Sequence, residues 1–467
     1  MSEQNDFFGK EVRLAVERYE KMLQNKEHLF IDEETFEDII DYYLQTNKPN
    51  KALRAIEAAT QQNPFSSSFK IKKAHAFHQL EEDDNALELL LQVELMEPSN
   101  AEIFLLRADI LEGKKLYDEA IACLYQALYL AEDKVDIYLG LGFLFETKNM
   151  YNEAIDKFSE CLKYEPDNEQ ALYEIAYCYD AMGQIDESIR FYNKHIDKDP
   201  YSFNAWYNLG LVYTKLENFE KALWAFDYAT LIKDNFPHAW FNKANTLVRL
   251  ERYAEAIDNY LKTLEIEGPE ALTYCNIGEC YEKLNQYDEA RIHYKKAQIL
   301  NPACSDAWFG LGICADFDNK LIEAEHYFKK AVDLEDKNAE FWFAYADVLF
   351  KLQQFDASEV AYEKCVTLDP LIIEAWLDWS ALKSDLDERS EAISLLLDGL
   401  TANPYSYEII YRLAGYLYFA GMHKQAVMYF ERGLQMKPAD AKIFFEHFPT
   451  LSGIKEFVDL TDLYLKK

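Results

Sequence analysis

Between Phe203 and Phe236, apolar residues recur with helical spacing in two runs separated by a polar break. Trp206, Leu209, Gly210 and Tyr213 stand at i, i+3, i+4 and i+7, and Ala222, Phe226 and Ala229 mark a second face beyond Glu217 and Asn218. This pattern predicts a helical hairpin that cannot bury its apolar faces alone and needs a copy of itself on either side. The copies are present. Steps of 34 residues give starts at 33, 67, 101, 135, 169, 203, 237, 271, 305, 339, 373 and 407, so twelve units cover 33–440 without an insertion.

The position of Ala222 tests that register most sharply. It reads Ala52, Ala86, Ala120, Ala154, Ser188, Ala222, Ala256, Ala290, Ala324, Ser358, Ala392 and Ala426. A small side chain there lets two helices approach closely, and a bulky one would overpack them at about 1 to 3 kcal/mol. The eighth position of each unit is also small, as at Gly142, Gly210, Gly278, Gly312 and Ala346, with Ile40 the exception. The fourth is mostly aromatic: Phe36, Phe104, Tyr138, Trp206, Trp240, Tyr274, Trp308, Trp342 and Trp376. Proline closes eight units, at 64, 98, 166, 200, 302, 370, 404 and 438, where its missing N–H and fixed φ stop the second helix.

The succession of Trp, Leu-Gly, Tyr, Ala, Phe and Pro resembles the tetratricopeptide repeat family, and repeats 6 to 12 match it in order. The resemblance implies an all-α fold, a right-handed α-solenoid superhelix of helix-turn-helix repeats over 33–440. Repeat 2 departs from it, with Lys70 and Lys73 where apolar residues are expected, so Phe69 and Ile71 are expected to substitute through a local rotation. Residues 1–32 are expected to supply an N-terminal capping helix, with Ala15, Tyr19 and Met22 on its apolar face. Residues 441–467 are expected to form C-terminal capping helices interrupted at Pro449, the last one burying Ile454, Phe457, Val458 and Leu465.

Composition narrows the partner class. The 33 Tyr, 30 Phe and 7 Trp against 15 Gly and 12 Pro suit helices packed through large side chains. A formal charge of −35 opposes nucleic acid and an anionic membrane surface, and no apolar run reaches the roughly 18 to 20 residues of a membrane span. Met1–Phe8 carries Glu3 and Asp6 and no basic residue, so no export signal is expected. The eight cysteines form no CxxC pair; Cys178, Cys280 and Cys314 share one repeat slot, and Cys161 and Cys365 another, as small buried thiols do. A cytoplasmic location fits.

Chemistry is not expected of this chain. Only 32 residues precede the array and 27 follow it, and no P-loop, GxGxxG, GxSxG or HExxH occurs, so neither an enzyme nor a cofactor is indicated. His75 and His78, with Asp109 and Glu112 at the same positions one repeat on, are the best metal candidates, but polar groove residues that happen to align explain them better, and no metal is expected.

The family resemblance implies a concave groove lined by the first helices, reached by positions 2, 5, 6, 9, 12 and 13. In repeats 3 to 5 these mix Leu105, Leu106, Leu139, Phe143 and Tyr173 with Asp109, Glu112, Glu146, Glu174 and Asp180, which suits an apolar or basic segment. In repeats 6 to 8 they present Asn208, Asn242 and Asn276 as an amide ladder, with Lys215, Arg249 and Lys283 as cations. Such a ladder could bind the backbone of an extended peptide, the cations taking a carboxylate. In repeats 9 and 10, Gly310 and Ala344 replace the Asn, and Phe309, Ile313, Phe317, Phe343 and Phe350 suggest an apolar partner pocket. Trp224 is a weaker candidate on the outer helix. The function expected is a non-catalytic scaffold holding a peptide or partner segment. The alternative is a regulatory sensor whose superhelix responds to a signalling peptide and controls a partner protein.

Overall fold

The computed structural model describes residues 9–25 and 30–465, among which lie 27 α-helices and no strand. Met1–Phe8, on which the expectation about export rests, lies outside the described residues. The chain forms two compact units, one ending at Lys233 and the other beginning at Asp234. Each unit is an α-solenoid of successive helix pairs. In the first, the leading helices of the pairs begin at Glu33, Ser67, Ala101, Val135, Glu169 and Phe203; in the second, at Pro237, Ala271, Ser305, Ala339, Ile373 and Tyr407. These are the residues at which the 34-residue period starts. Within each unit, leading helices also touch the leading helix of a neighbouring pair, as Glu169–Ala181 touches Phe203–Lys215 and Ala271–Lys283 touches Ser305–Phe317.

The close contact inside each pair explains the small residues. Ala52, Ala86, Ala120, Ala154, Ala222, Ala256, Ala290, Ala324, Ala392 and Ala426 are all fully buried. Ser358 is fully buried too, and its hydroxyl donates to the Ala346 carbonyl at 2.8 Å, which removes the cost of its polarity. Opposite, an aromatic ring lies flat on a helix that has no room for a side chain. A Cβ on Gly210 would stand 2.5 Å from the Phe226 ring, and one on Gly142 2.3 Å from Phe158.

Two further periodic devices join the repeats. The indole N–H of Trp206 donates to the Pro200 carbonyl at 3.0 Å, and Trp240, Trp308, Trp342 and Trp376 donate in the same way to Asp234, Pro302, Asp336 and Pro370. Each aromatic ring thus packs between helices while its polar edge ties down the turn six residues earlier. Between the two helices of every pair, one residue sits in the left-handed region. Only Gly183 and Gly421 are glycines there; the others include Glu81, Lys115, Glu217, Glu251 and Gln353, at φ of 55 to 61°. The local cost of that conformation is carried by the packed helices on either side.

Repeat 2 turns as its composition requires: Phe69 and Ile71 are buried, while Lys73 lies over the Phe77 ring. At the amino end, helix Lys10–Asn25 buries Val16, Tyr19 and Met22 against Phe36 and Ile40, with Ala15 at the margin. At the other end, helix Lys455–Leu465 buries Phe457 against Phe430 and Phe444 at ring distances of 4.9 and 5.1 Å. Its apolar face corrects the expectation. Val458 and Leu465 are exposed, and Leu460 and Tyr464 join Ile454 and Phe457 against the core, because the 3-10 turn Pro449–Gly453 sets the rotation of the helix.

Replacing Gln353 (φ 58°) by Gly should relieve backbone strain and stabilise the protein by about 0.5 to 1 kcal/mol in a denaturant titration. Equal stability would show that the turn holds no strain there.

Candidate partner-binding face

In the first unit, the leading helices bring carboxylates together with few cations between them. Glu146 and Glu174, one repeat apart, share a hydrogen bond. Burial, then the neighbouring Glu146 charge, pushes the Glu174 carboxyl up to about 7. Tyr173 is exposed beside them, whereas Leu106 and Leu139 are buried in the packing. A small cavity of about 200 Å³ lies further back, lined by Asp41, Lys72, His75, Glu102 and Asp109 among others. There Lys72 meets Asp41 at 2.5 Å. His78 turns to Asp83, 2.7 Å away, and among the described residues no group of three or more His, Cys, Asp or Glu is placed to hold a metal.

The first rung of the expected amide ladder is corrected. Asn208 is only 3% exposed, and its amide donates to the Asn204 carbonyl of its own helix at 3.0 Å. Asn204 in turn reaches back to the Asp167 carbonyl at 3.1 Å, so this stretch of face is spent on joining repeats. Lys215 is paired with Asp180. Trp224 is half exposed and meets Trp206 edge to face at 4.9 Å.

In the second unit the predicted residues separate into groups. Asn242 and Arg249 lie on helix Pro237–Arg249, the former half-buried and the latter exposed in the last turn. Asn276, Lys283 and Phe309 come together in a cavity of about 310 Å³ between helices Ala271–Lys283, Ser305–Phe317 and Ala339–Lys351. The five apolar candidates do not converge on one pocket. Phe309 stacks on Phe341 at 4.6 Å and forms part of this wall, and Ile313 packs into the core beneath it. Phe343 lines a separate, more open cavity of about 680 Å³ with Ile372 and Leu368. Phe317 is 62% exposed and stacks on Tyr287 at 3.7 Å, while Phe350 packs on Phe355 at 5.9 Å.

The decisive residue of the smaller cavity is Tyr294, from a second helix. Its ring is wedged between two glycines: a Cβ would stand 2.7 Å from it on Gly278 and 2.2 Å from it on Gly310. As the ring is placed, Gly310 leaves it room that any side chain there would take. The phenol donates to Glu282 at 3.0 Å. Sequence reasoning treated this position as framework, and Tyr at the same position in the earlier repeats, Tyr192 and Tyr260, gave no signal that set it apart. Cys275, which lines the same cavity, lies 3.6 Å from Cys304 through their sulfurs, and that contact holds the Cys304 thiol well below the usual range. All eight cysteines are free.

Sequence models described as tetratricopeptide repeat match residues 38–95, 101–134, 147–209, 203–233, 236–298, 276–324 and 339–370, together more than half of the chain. The chain belongs to the tetratricopeptide repeat family. No curated protein matches the sequence. Among solved structures, a chain of the APC/C hetero-tetramer Cut9–Hcn1 is 16% identical, with 88% of this chain and 97% of that one covered and a TM-score of 0.43. YrrB, described as a TPR protein with an unusual peptide-binding site, is 21% identical, with 39% and 95% covered and a TM-score of 0.33. PilF of Pseudomonas aeruginosa is 23% identical, with 44% and 93% covered and a TM-score of 0.39.

Restoring the family's usual residue by Gly310→Asn should overpack Tyr294 and cost about 1 to 3 kcal/mol in thermal or denaturant unfolding; a neutral result would mean that the ring moves aside freely. The raised Glu174 carboxyl makes the folded state hold its proton more tightly than the unfolded chain. Its stabilisation is complete below its ordinary value of 4.5 and is lost as pH rises through about 7. Glu146→Gln should therefore shrink the fall in melting temperature between about pH 5 and about pH 8. An undiminished fall in the variant would exclude this coupling.

Proposed function

We propose that this tetratricopeptide repeat chain is a non-catalytic interaction scaffold that holds an extended peptide, or a terminal segment of a partner protein, against the face of its leading helices. The observation that carries the reading is the cavity in which Asn276, Lys283 and Phe309 meet. An amide, a cation and an aromatic wall offer three different interactions within one recess. Its size lies at the lower end of the roughly 300 to 1,000 Å³ typical of ligand sites, enough for a side chain and the main chain beside it. The Asn276 side chain is hydrogen-bonded to the Tyr260 hydroxyl, which pre-orients the amide and lowers the entropy lost on binding.

Membership of a family of interaction modules supports the general role. A cytoplasmic setting belongs to the same proposal, supported by eight free thiols. Among the described residues, no helix is long and apolar enough to cross a membrane.

Selection of displayed random peptides on the full chain, followed by titration of a selected peptide, tests the proposal. Asn276→Ala combined with Lys283→Ala should weaken binding by roughly tenfold or more and leave the melting temperature nearly unchanged. Undiminished binding would remove the cavity from the interface, and a parallel loss of stability would make these residues structural.

A further inference from the structure

The cavity that supports the peptide reading has a second property, its charge. Glu279, Glu282, Asp306 and Glu340 line it beside Asn276, and Lys283 is its one basic residue. None of the four carboxylates has an ion-pair partner among the described residues. Burial raises the Glu282 carboxyl above its ordinary range despite the Tyr294 hydrogen bond, and burial followed by Glu335 does the same to Asp306.

The neighbouring repeats handle the same positions differently. Lys351, which stands in the repeat where Lys283 stands, reaches Asp316 of the preceding repeat at 2.8 Å and Asp347 of its own helix at 2.8 Å. In the other unit, Lys215 at this position is paired with Asp180 of the preceding repeat. The residue before Lys283 that corresponds to Asp316 and Asp180 is Val248. Lys283 accordingly has no such partner among the described residues, and its own repeat and the next two supply four carboxylates that form no ion pair there.

The walls add a preference for one kind of cation. Phe309 and Phe341 are stacked at 4.6 Å and line the recess with Tyr294; Phe341 and Tyr294 are buried behind it, and Phe309 is the partly exposed ring. A planar cation slides along aromatic faces and pairs with carboxylates at its edge, and guanidinium does both better than ammonium because it is planar, weakly hydrated and carries five donors. An apolar side chain would fit the rings but would leave the carboxylates desolvated and unpaired, which is unfavourable.

We propose that this cavity binds an arginine side chain of an extended, basic partner segment. This rests on the peptide reading above and narrows it. The guanidinium lies against Phe309 and bonds to Glu279 and Glu340, and Asn276 and Lys283 take main-chain carbonyls beside it. The occupant follows from charge complementarity: a segment with net positive charge meets four carboxylates here and a chain of charge −35 around them.

Fluorescence anisotropy tests this with a labelled peptide selected from random display on the full chain, and with versions in which each arginine is replaced by citrulline or norleucine. Selected peptides should carry arginine. One citrulline replacement should weaken binding roughly tenfold or more, and binding should fall with added salt. In Glu279→Gln combined with Glu340→Gln, both exposed positions, the citrulline penalty should disappear while the circular dichroism melt stays unchanged. Asp306→Asn provides a second variant with the same expectation in weaker form. Peptides that bind without a basic residue, or a citrulline penalty that survives in both variants, would overturn the arginine assignment and leave the peptide reading standing. Selection that yields no binding peptide would overturn both.

Discussion

Everything in this protein depends on one close contact, an aromatic ring pressed against a helix where that helix has almost no side chain. Phe158, Phe226 and Phe328 lie on Gly142, Gly210 and Gly312 at distances that exclude even a methyl group. The contact brings two helices near enough for the alanine of the second to be buried completely, and each pair then has an apolar flank to offer the next. Dispersion and burial at such contacts are short-ranged, so stability accumulates from neighbour to neighbour. The ends need covering for the same reason. Phe457 and Tyr19 do so with rings set against the outermost pairs.

Where the ring changes from Phe to Tyr, the same contact acquires a further role. The Tyr294 ring fills the gap between Gly278 and Gly310, while its hydroxyl reaches Glu282. A framework residue thereby becomes the wall of a cavity.

Charge divides the leading-helix face in a way that composition conceals. Lys383 is buried among Glu359, Glu388 and Glu391 at 2.7 to 2.9 Å, and Lys351 is held between Asp316 and Asp347. These cations neutralise their surroundings. Among the described residues the Glu146–Glu174 pair and the cavity carboxylates have no such ion-pair partner, and burial raises the Glu174, Glu282 and Asp306 carboxyls. Desolvated like charges are unfavourable in the isolated chain, which makes them the places where a cationic partner gains most.

The sequence by itself determined the repeat length, its phase and the all-α class, because a 34-residue period written in small and aromatic residues is a local property that survives without knowledge of the third dimension. It also located the irregular second repeat, whose Phe69 and Ile71 are buried. It did not determine which polar residues of the face are available. Asn208 and Asn276 occupy the same repeat position, yet the first is buried and bonded to its own helix, whereas the second lines a cavity. Only the tertiary structure separates them, because the difference lies in the residues packed around each: Asn204 and Asp167 beside the former, Tyr260 and Tyr294 beside the latter. Periodicity reports what each repeat shares, and the site arises from how unlike neighbours meet.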